Sequence, residues 1–554
     1  MLNNPEGGNQ MDFKKMTVYQ IYPRSFMDAN GDGFGDLQGI ISKLDYIEKL
    51  GTDCIWLTPI YISPQRDNGY DVADYCSIDP RYGTMADFDE LSAQCKKRGI
   101  AIMLDMVFNH TSADHKWFQQ ALAGDEKYRD YYIFKPSREG GEPPTNWVSK
   151  FGGNAWGKVG DEHYLHLFDV SQPDLNWENP ALRREIYDIM GFWLAKGIRG
   201  FRFDVVNLIS KPEVYEDDHI GDGRRFYTDG SRVHEYLKEL NKETFGKYEC
   251  ITVGEMSSTS IENCIKYSNP AENELSMTFS FHHLKVDYKD GDKWSNIPFD
   301  FAELKRLLHT WQAEMAKGDG WNATFWCNHD QPRAVSRFGC DRKYHYQSAT
   351  MLATVIHLMR GTPYVYQGEE IGMTNAYFDK LSDYMDVESI NYIEILRAEG
   401  KGDNEILAVL AAKSRDNART PMQWDNTVSA GFSTSQPWLS VAKNYESINA
   451  ASALENRNSI FYYYRELINL RKTLDIIAYG SYRPMWQEHS GVLAYMREYG
   501  DERLLVICNF YTDEQTVDIS EFKDFDNLIM NYDELQIDGD MLKLRGYEAV
   551  AMWV

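Results

Sequence analysis

From Thr17 to about residue 370, short apolar runs recur along the chain, each separated from the next by an amphipathic stretch. Eight runs read as strands: 17–23, 54–60, 100–108, 198–206, 250–255, 275–281, 322–330 and 362–370. The intervening stretches, such as FDELSAQCKKRG before the third run and EIYDIMGFWLAKG before the fourth, carry apolar residues at helical spacing. Near-continuous apolar strands separated by helices are covered on both faces, which predicts a parallel sheet. Eight such units are the count of a closed (β/α)8 TIM barrel, an α/β fold.

Two excursions break the alternation. Residues 109–177 are irregular and rich in aromatics, glycine and proline, and predict a small subdomain inserted after strand 3 and overhanging the barrel top. A second excursion spans about 374–440. Beyond the helical pattern at 461–474, alternation of period two in GVLAYMREYG and RLLVICNFYTDEQTVDI predicts a C-terminal antiparallel β-domain. The expected organisation is a barrel from 1–108 and 178–478, an inserted subdomain at 109–177 and a β-domain at 479–554.

Composition narrows the partners. The chain has 554 residues with 84 acidic and 58 basic side chains, a net charge of −26. Such a field opposes nucleic acid and anionic lipid, although a local basic pocket can still hold a small anion. With 43% hydrophobic and 14% aromatic residues, the chain has material for a large core, which argues against disorder. The eight cysteines form no CxxC pair and no zinc spacing, and read as buried reduced thiols. The start, MLNNPEGGNQMDFKK, lacks the apolar core of a signal peptide, and no run approaches the ~18 apolar residues of a span. The expected setting is the cytoplasm, away from membranes.

In a barrel, chemistry collects at the C-terminal strand ends. The third run ends in DMVFNH (Asp105, Asn109, His110), the fourth in GFRFD (Arg202, Asp204), the fifth in VGE (Glu255) and the seventh in NHD (His329, Asp330). Carboxylates on one rim, with an arginine two positions before one of them, answer the demands of glycoside hydrolysis. A retaining enzyme pairs an ionised nucleophile with a protonated acid, ~5–5.5 Å apart. Arg202 and Asp204 share one side of a strand, so the guanidinium keeps Asp204 ionised. Glu255 then needs a raised pKa to protonate the leaving oxygen.

DMVFNH, GFRFDVV, VGE and NHD resemble the four signature segments of the α-amylase superfamily, glycoside hydrolase family 13, and QPDLNW (172–177) resembles a fifth found in its oligo-1,6-glucosidase group. The resemblance implies Asp204 as nucleophile, Glu255 as acid/base and Asp330 as transition-state stabiliser. It assigns His110, Arg202 and His329 to the cleaved glucose, Asp67 and Tyr70 to the closed end of its pocket, and Arg415 to the same sugar, with Arg419 an alternative nearby. Val205 is the residue type associated with isomaltose-type enzymes. Longer stretches, among them GDGRRFYTDG, SMTFSFHHLKVDY and FWCNHDQPRAVSRFG, resemble the trehalose-6-phosphate hydrolases of this superfamily.

That branch implies a small-molecule phosphorylated disaccharide as substrate, cleaved at its α-1,1 bond. HHLKVDYKDGDKW supplies cations suited to a phosphate dianion, with Lys285 and Lys293 the leading ligands and His283 beside them. Arg224 and Arg225 are further cations. The alternatives are an oligo-1,6-glucosidase or a sucrose-isomerising transglycosidase. Separately, DANGDGFGDL sets Asp28, Asn30, Asp32, the Phe34 carbonyl and Asp36 at the spacing of a calcium loop, although its twelfth position is Gly39 rather than glutamate. A structural calcium or magnesium ion is expected there, with no cofactor needed for catalysis.

Overall fold

The computed structural model describes residues 11–554 apart from Lys523; residues 1–10, which the sequence reading places with the barrel, lie outside the described residues. Eight parallel strands form the centre: β1 (Val18–Ile21), β2 (Cys54–Leu57), β3 (Ala101–Met106), β4 (Gly200–Phe203), β5 (Ile251–Met256), β6 (Met277–Ser280), β7 (Ala323–Thr324) and β8 (Thr362–Tyr366). Each pairs with its sequence neighbour, β8 pairs with β1, and a parallel bridge from Thr278 to Asn322 joins β6 to β7. The barrel is closed. Its strands bury almost every residue, because helices cover the outer face while side chains fill the inside.

The strands are shorter than their apolar runs. β7 keeps two residues of the expected nine, and His329 and Asp330 stand in the loop beyond it. Apolar content there reports burial rather than pairing, since Phe325, Trp326 and Cys327 are buried outside the ladder. Helix Pro180–Ala195 is typical of the outer layer. Asn179 caps its N-terminus, proline opens it, and Leu182, Ile186, Met190 and Trp193 turn one apolar stripe inward.

The insertion holds a three-stranded antiparallel sheet, Phe134–Pro136, Trp156–Val159 and Glu162–Leu165. Its apolar cluster of Trp147, Trp156, Leu165 and Leu167 also takes Val205, Leu208 and Tyr227 from the chain after β4. The segment following β4 therefore completes the subdomain's core. Gly223 sits at φ 94° with Trp147 so close that a Cβ would meet the indole at 2.4 Å, so only glycine fits.

The C-terminal region is a five-stranded and a three-stranded sheet, both antiparallel. In strand Val492–Tyr499 the period of two sorts residues between two cores. Leu493 and Tyr495 join the barrel's core, whereas Val492, Ala494 and Met496 face the other sheet. Among the described residues no helix is long and apolar enough to cross a membrane.

Candidate active site

Arg202 organises the rim. Its Nη1 donates to Asp105 Oδ1 and Asp204 Oδ1, each at 2.6 Å, and its Nη2 meets Glu255 Oε2. The guanidinium is buried, so three carboxyl groups from β3, the end of β4 and β5 share one counter-charge away from water. Asp105 also accepts from Tyr70 Oη (2.9 Å) and Trp56 Nε1 (3.2 Å). Burial, with Asp204 adding repulsion against the pull of Arg202, pushes the Asp105 carboxyl up to about 7. Val205, directly after Asp204, holds φ at 34°, a left-handed conformation costly for a β-branched residue. Its side chain is anchored in the subdomain's core, which sustains that turn.

Further inside, Tyr70 stacks on His329 with ring centroids 5.2 Å apart. Gln20 Nε2 donates to His329 Nδ1 at 2.8 Å, which leaves Nε2 carrying the proton 3.2 Å from Asp330 Oδ2. Burial, reinforced by Arg419, Arg415 and Arg202, lowers His329 to about 3 despite Asp330, so the ring is neutral. Burial raises Asp330, but Arg415, Arg419 and Arg202 outweigh it and hold that carboxyl well below the usual range. Asp67 and His110 come together through Gln172, which donates to Asp67 Oδ2 (3.0 Å) and lies 3.3 Å from His110 Nε2. Burial is the main cause that pushes Asp67 up to about 8, against Arg415.

Both candidate arginines reach this end. Arg415 Nη1 donates to Asp330 Oδ1 at 3.3 Å, and Arg419 Nη2 donates to the same oxygen at 2.7 Å. Arg415 lines the cavity, while Arg419 is fully buried behind it and also donates to the His329 carbonyl. What fixes the pair is Asp386, which sequence reasoning missed. Its carboxylate accepts from Arg415 Nε and Nη2 (3.0 and 2.9 Å) and from Arg419 Nη1 (2.7 Å). Asp416 in turn accepts the Met385 and Asp386 N–H groups. The only signal for Asp386 is an acidic residue in an irregular segment; Gln172, by contrast, opens the QPDLNW motif.

Asp67, Tyr70, His110, Asp204, Glu255, Asp330 and Arg415 line a cavity of about 670 Å³, whose wall also holds Lys150, Arg224, Lys285 and Lys293 together with Asp292 and Glu388. His282 stands there too, but burial lowers it to about 4, so it adds no cation. Lys285 reaches solvent, yet partial enclosure by the cavity wall, then Arg224, lowers its pKa from the ordinary lysine value. Lys293 is tied to Glu388 Oε2 at 2.7 Å, and Arg224 to Asp222 Oδ2 at 2.5 Å. Arg225 pairs with Asp218 and lies outside the cavity wall. His283 departs from expectation. It donates from Nε2 to the Phe325 carbonyl (2.9 Å) under the rim, and burial holds it near 4, so it offers no cation to a ligand. A single 3-10 turn, His282–Leu284, sends the two adjacent histidines to different places.

The Asp28–Asp36 loop lies after β1. Asp28 accepts from Gly31 N, Gly33 N and Ser433 Oγ, and Asp36 accepts from Ala29, Asn30 and Gly39 N–H groups. Asn30 and Asp32 accept from Asp32 and Phe34 N–H groups. Among the described residues, no three His, Cys, Asp or Glu side chains converge as a metal cluster.

Residues 20–480 match the α-amylase catalytic domain and residues 492–551 the α-amylase SusG C-terminal domain. The chain is 53% identical to trehalose-6-phosphate hydrolase of Bacillus subtilis (strain 168) over 97% of each protein. It is 48% identical to oligo-1,6-glucosidase of Bacillus cereus over 97% of this chain and 98% of that one. The crystal structure of Bacillus licheniformis trehalose-6-phosphate hydrolase superposes with a TM-score of 0.95 at 54% identity, over 98% of this chain and 99% of that one. Barrel, rim and full-length similarity agree: the chain belongs to the α-amylase family of glycoside hydrolases.

Proposed function

We propose that this chain is a retaining hydrolase of trehalose 6-phosphate, releasing glucose and glucose 6-phosphate. The observation that carries the reading is the cavity's polarity. Asp67, Asp204, Glu255 and Asp330 in the wall suit the hydroxyls and reacting carbon of one sugar, and Lys150 and Lys285 in the same wall suit the phosphate of the second. Full-length similarity to trehalose-6-phosphate hydrolases supports the same substrate.

In this reading Asp204 attacks the anomeric carbon of the inner glucose while Glu255 protonates the bridging oxygen, and glucose 6-phosphate leaves. Glu255, now ionised, takes a proton from water, whose oxygen displaces Asp204 and frees glucose with its configuration retained. Sharing of one guanidinium by Asp204 and Glu255 supports the close spacing that retention requires. Asp330, held ionised, faces the positive charge that develops on the ring. His110, His329, Asp67, Tyr70 and Arg415 grip the hydroxyls of the same sugar.

The test is an NMR time course on trehalose 6-phosphate. The α anomer of glucose appears first, alongside glucose 6-phosphate; first-formed β-glucose would mean inversion, and an uncleaved substrate would overturn the reading. The eight cysteines, none disulfide-bonded, suit a reducing compartment, which supports a cytoplasmic setting. The oxygen-only donors of Asp28, Asn30, Asp32, the Phe34 carbonyl and Asp36 suit calcium or magnesium as a structural ion with no part in the chemistry. Asp36, raised by burial and by Asp28, would gain from a neighbouring cation. Chelation is expected to lower Tm; an unchanged Tm would mean that the loop stands on its hydrogen bonds alone.

A further inference from the structure

We propose that Lys150, carried by the inserted subdomain, is a phosphate ligand of the outer subsite, so that recognition of the phosphorylated sugar is divided between subdomain and barrel. The inference rests on the substrate reading above and adds a residue to it.

Lys150 lies in the cavity wall with Glu255, Ser257, Arg224 and Lys285. Its Nζ donates to Ser257 Oγ at 2.9 Å, two residues beyond Glu255, which leaves ammonium protons for a ligand. The rings of Phe168 and Tyr227 stand 5.9 Å from Nζ on its flanks. The backbone is pinned as well, with Lys150 N donating to Leu167 O and Ser149 Oγ to Phe168 O. Among the described residues, no carboxylate pairs with this lysine.

A half-buried ammonium with hydroxyl and ring neighbours, next to two more cations, is costly unless something anionic joins them. Burial above all, then Arg224, draws Lys150 down to about 8; Asp222 opposes, Lys285 lowers it further and Asp174 raises it. A phosphate dianion answers Lys150 and Lys285, which have no carboxylate partner among the described residues, while Arg224 is already paired with Asp222, and a compact ammonium suits it as a point charge. The competing role is mechanical, with Lys150 fastening the subdomain to the barrel through Ser257. The two roles differ in what they do to a substrate without phosphate.

The experiment compares kcat/KM for trehalose 6-phosphate with kcat/KM for p-nitrophenyl α-glucoside in wild type, Lys150→Met and Lys150→Arg. A ligand role predicts that the ratio falls ~10–100-fold in Lys150→Met, mainly through KM, and is largely restored in Lys150→Arg. Both activities falling together, with the ratio kept, would overturn the inference in favour of fastening. Should Lys150→Met fold poorly, Lys150→Gln and the inhibition constants of glucose 6-phosphate and glucose provide the same ratio. A wild type that shows no preference for the phosphorylated substrate would sink the substrate reading itself; a preference that survives in Lys150→Met or Lys150→Gln sinks only the role of Lys150.

Discussion

The two ends of the cavity solve opposite electrostatic problems. At the inner end, six carboxyl groups (Asp67, Asp105, Asp204, Glu255, Asp330 and Asp386) meet three arginines, Arg202, Arg415 and Arg419, and Glu388, which also pairs with Lys293, reaches Arg415 Nε at 3.5 Å. Even with Asp67 and Asp105 taking up protons near neutrality, no surplus of positive charge remains there. At the outer end Lys293 and Arg224 are matched by Glu388 and Asp222, while Lys150 and Lys285 have no carboxylate partner among the described residues. An inner end without surplus cations suits a sugar that becomes positive as its bond breaks, and two unmatched lysines suit a dianion. A protein of net charge −26 thus places two lysines without a carboxylate partner where the phosphate is expected.

Each side of that contrast can be broken in turn. The largest effect belongs to Asp204→Asn, which removes the nucleophile and is expected to cost kcat/KM ~10⁴-fold or more on every substrate, phosphorylated or not. Steady-state rates check it, and a loss confined to the phosphorylated substrate would contradict the division of labour. Next comes Asp386→Asn, which strips two buried arginines of their shared carboxylate. A destabilisation of ~3–5 kcal/mol is expected by denaturant titration, together with weaker binding of glucose. A near-neutral result would mean that Arg415 and Arg419 are anchored otherwise.

Lys285→Ala comes third. A loss of ~10–100-fold is expected on trehalose 6-phosphate, the range of one hydrogen bond to a charged group, and little change on p-nitrophenyl α-glucoside. Unchanged kinetics on the phosphorylated substrate would remove Lys285 from the site. The smallest effect is a matter of pH. The folded-state pKa of Asp67, about 8, lies above the ~3.9 of an unfolded aspartate, so the folded state holds the proton longer. Its stabilising contribution is present below ~4 and is lost as pH rises toward 8. Tm of Asp67→Asn minus Tm of wild type should therefore increase from pH 5 to pH 8, by about 1–2 °C. A difference flat with pH would place the Asp67 proton elsewhere.

The strand-borne half of the site is legible in the sequence because strands carry their own coordinates. Alternation and strand ends alone put Asp105, Arg202, Asp204 and Glu255 on one rim. His329 and Asp330 are legible too, although β7 is so short that both lie in a loop. Other loop-borne groups have no such ruler. Asp386 and Glu388 come from the second excursion and Lys150 from the first, and neither region has a periodicity to aim a side chain. His283 shows the converse, a residue of the right type beside His282 but turned beneath the rim. The subdomain's edge is equally hidden, since Val205, Leu208 and Tyr227 complete its core from beyond β4.

The opposition between an inner end without surplus cations and a basic outer end is tested most directly by kcat/KM for trehalose 6-phosphate against isomaltose and sucrose on the same wild-type preparation. The account predicts a preference of at least ~100-fold for the phosphorylated disaccharide, as expected when two lysines each contribute a charged hydrogen bond. Equal or better turnover of isomaltose, or isomerised product from sucrose, would contradict it.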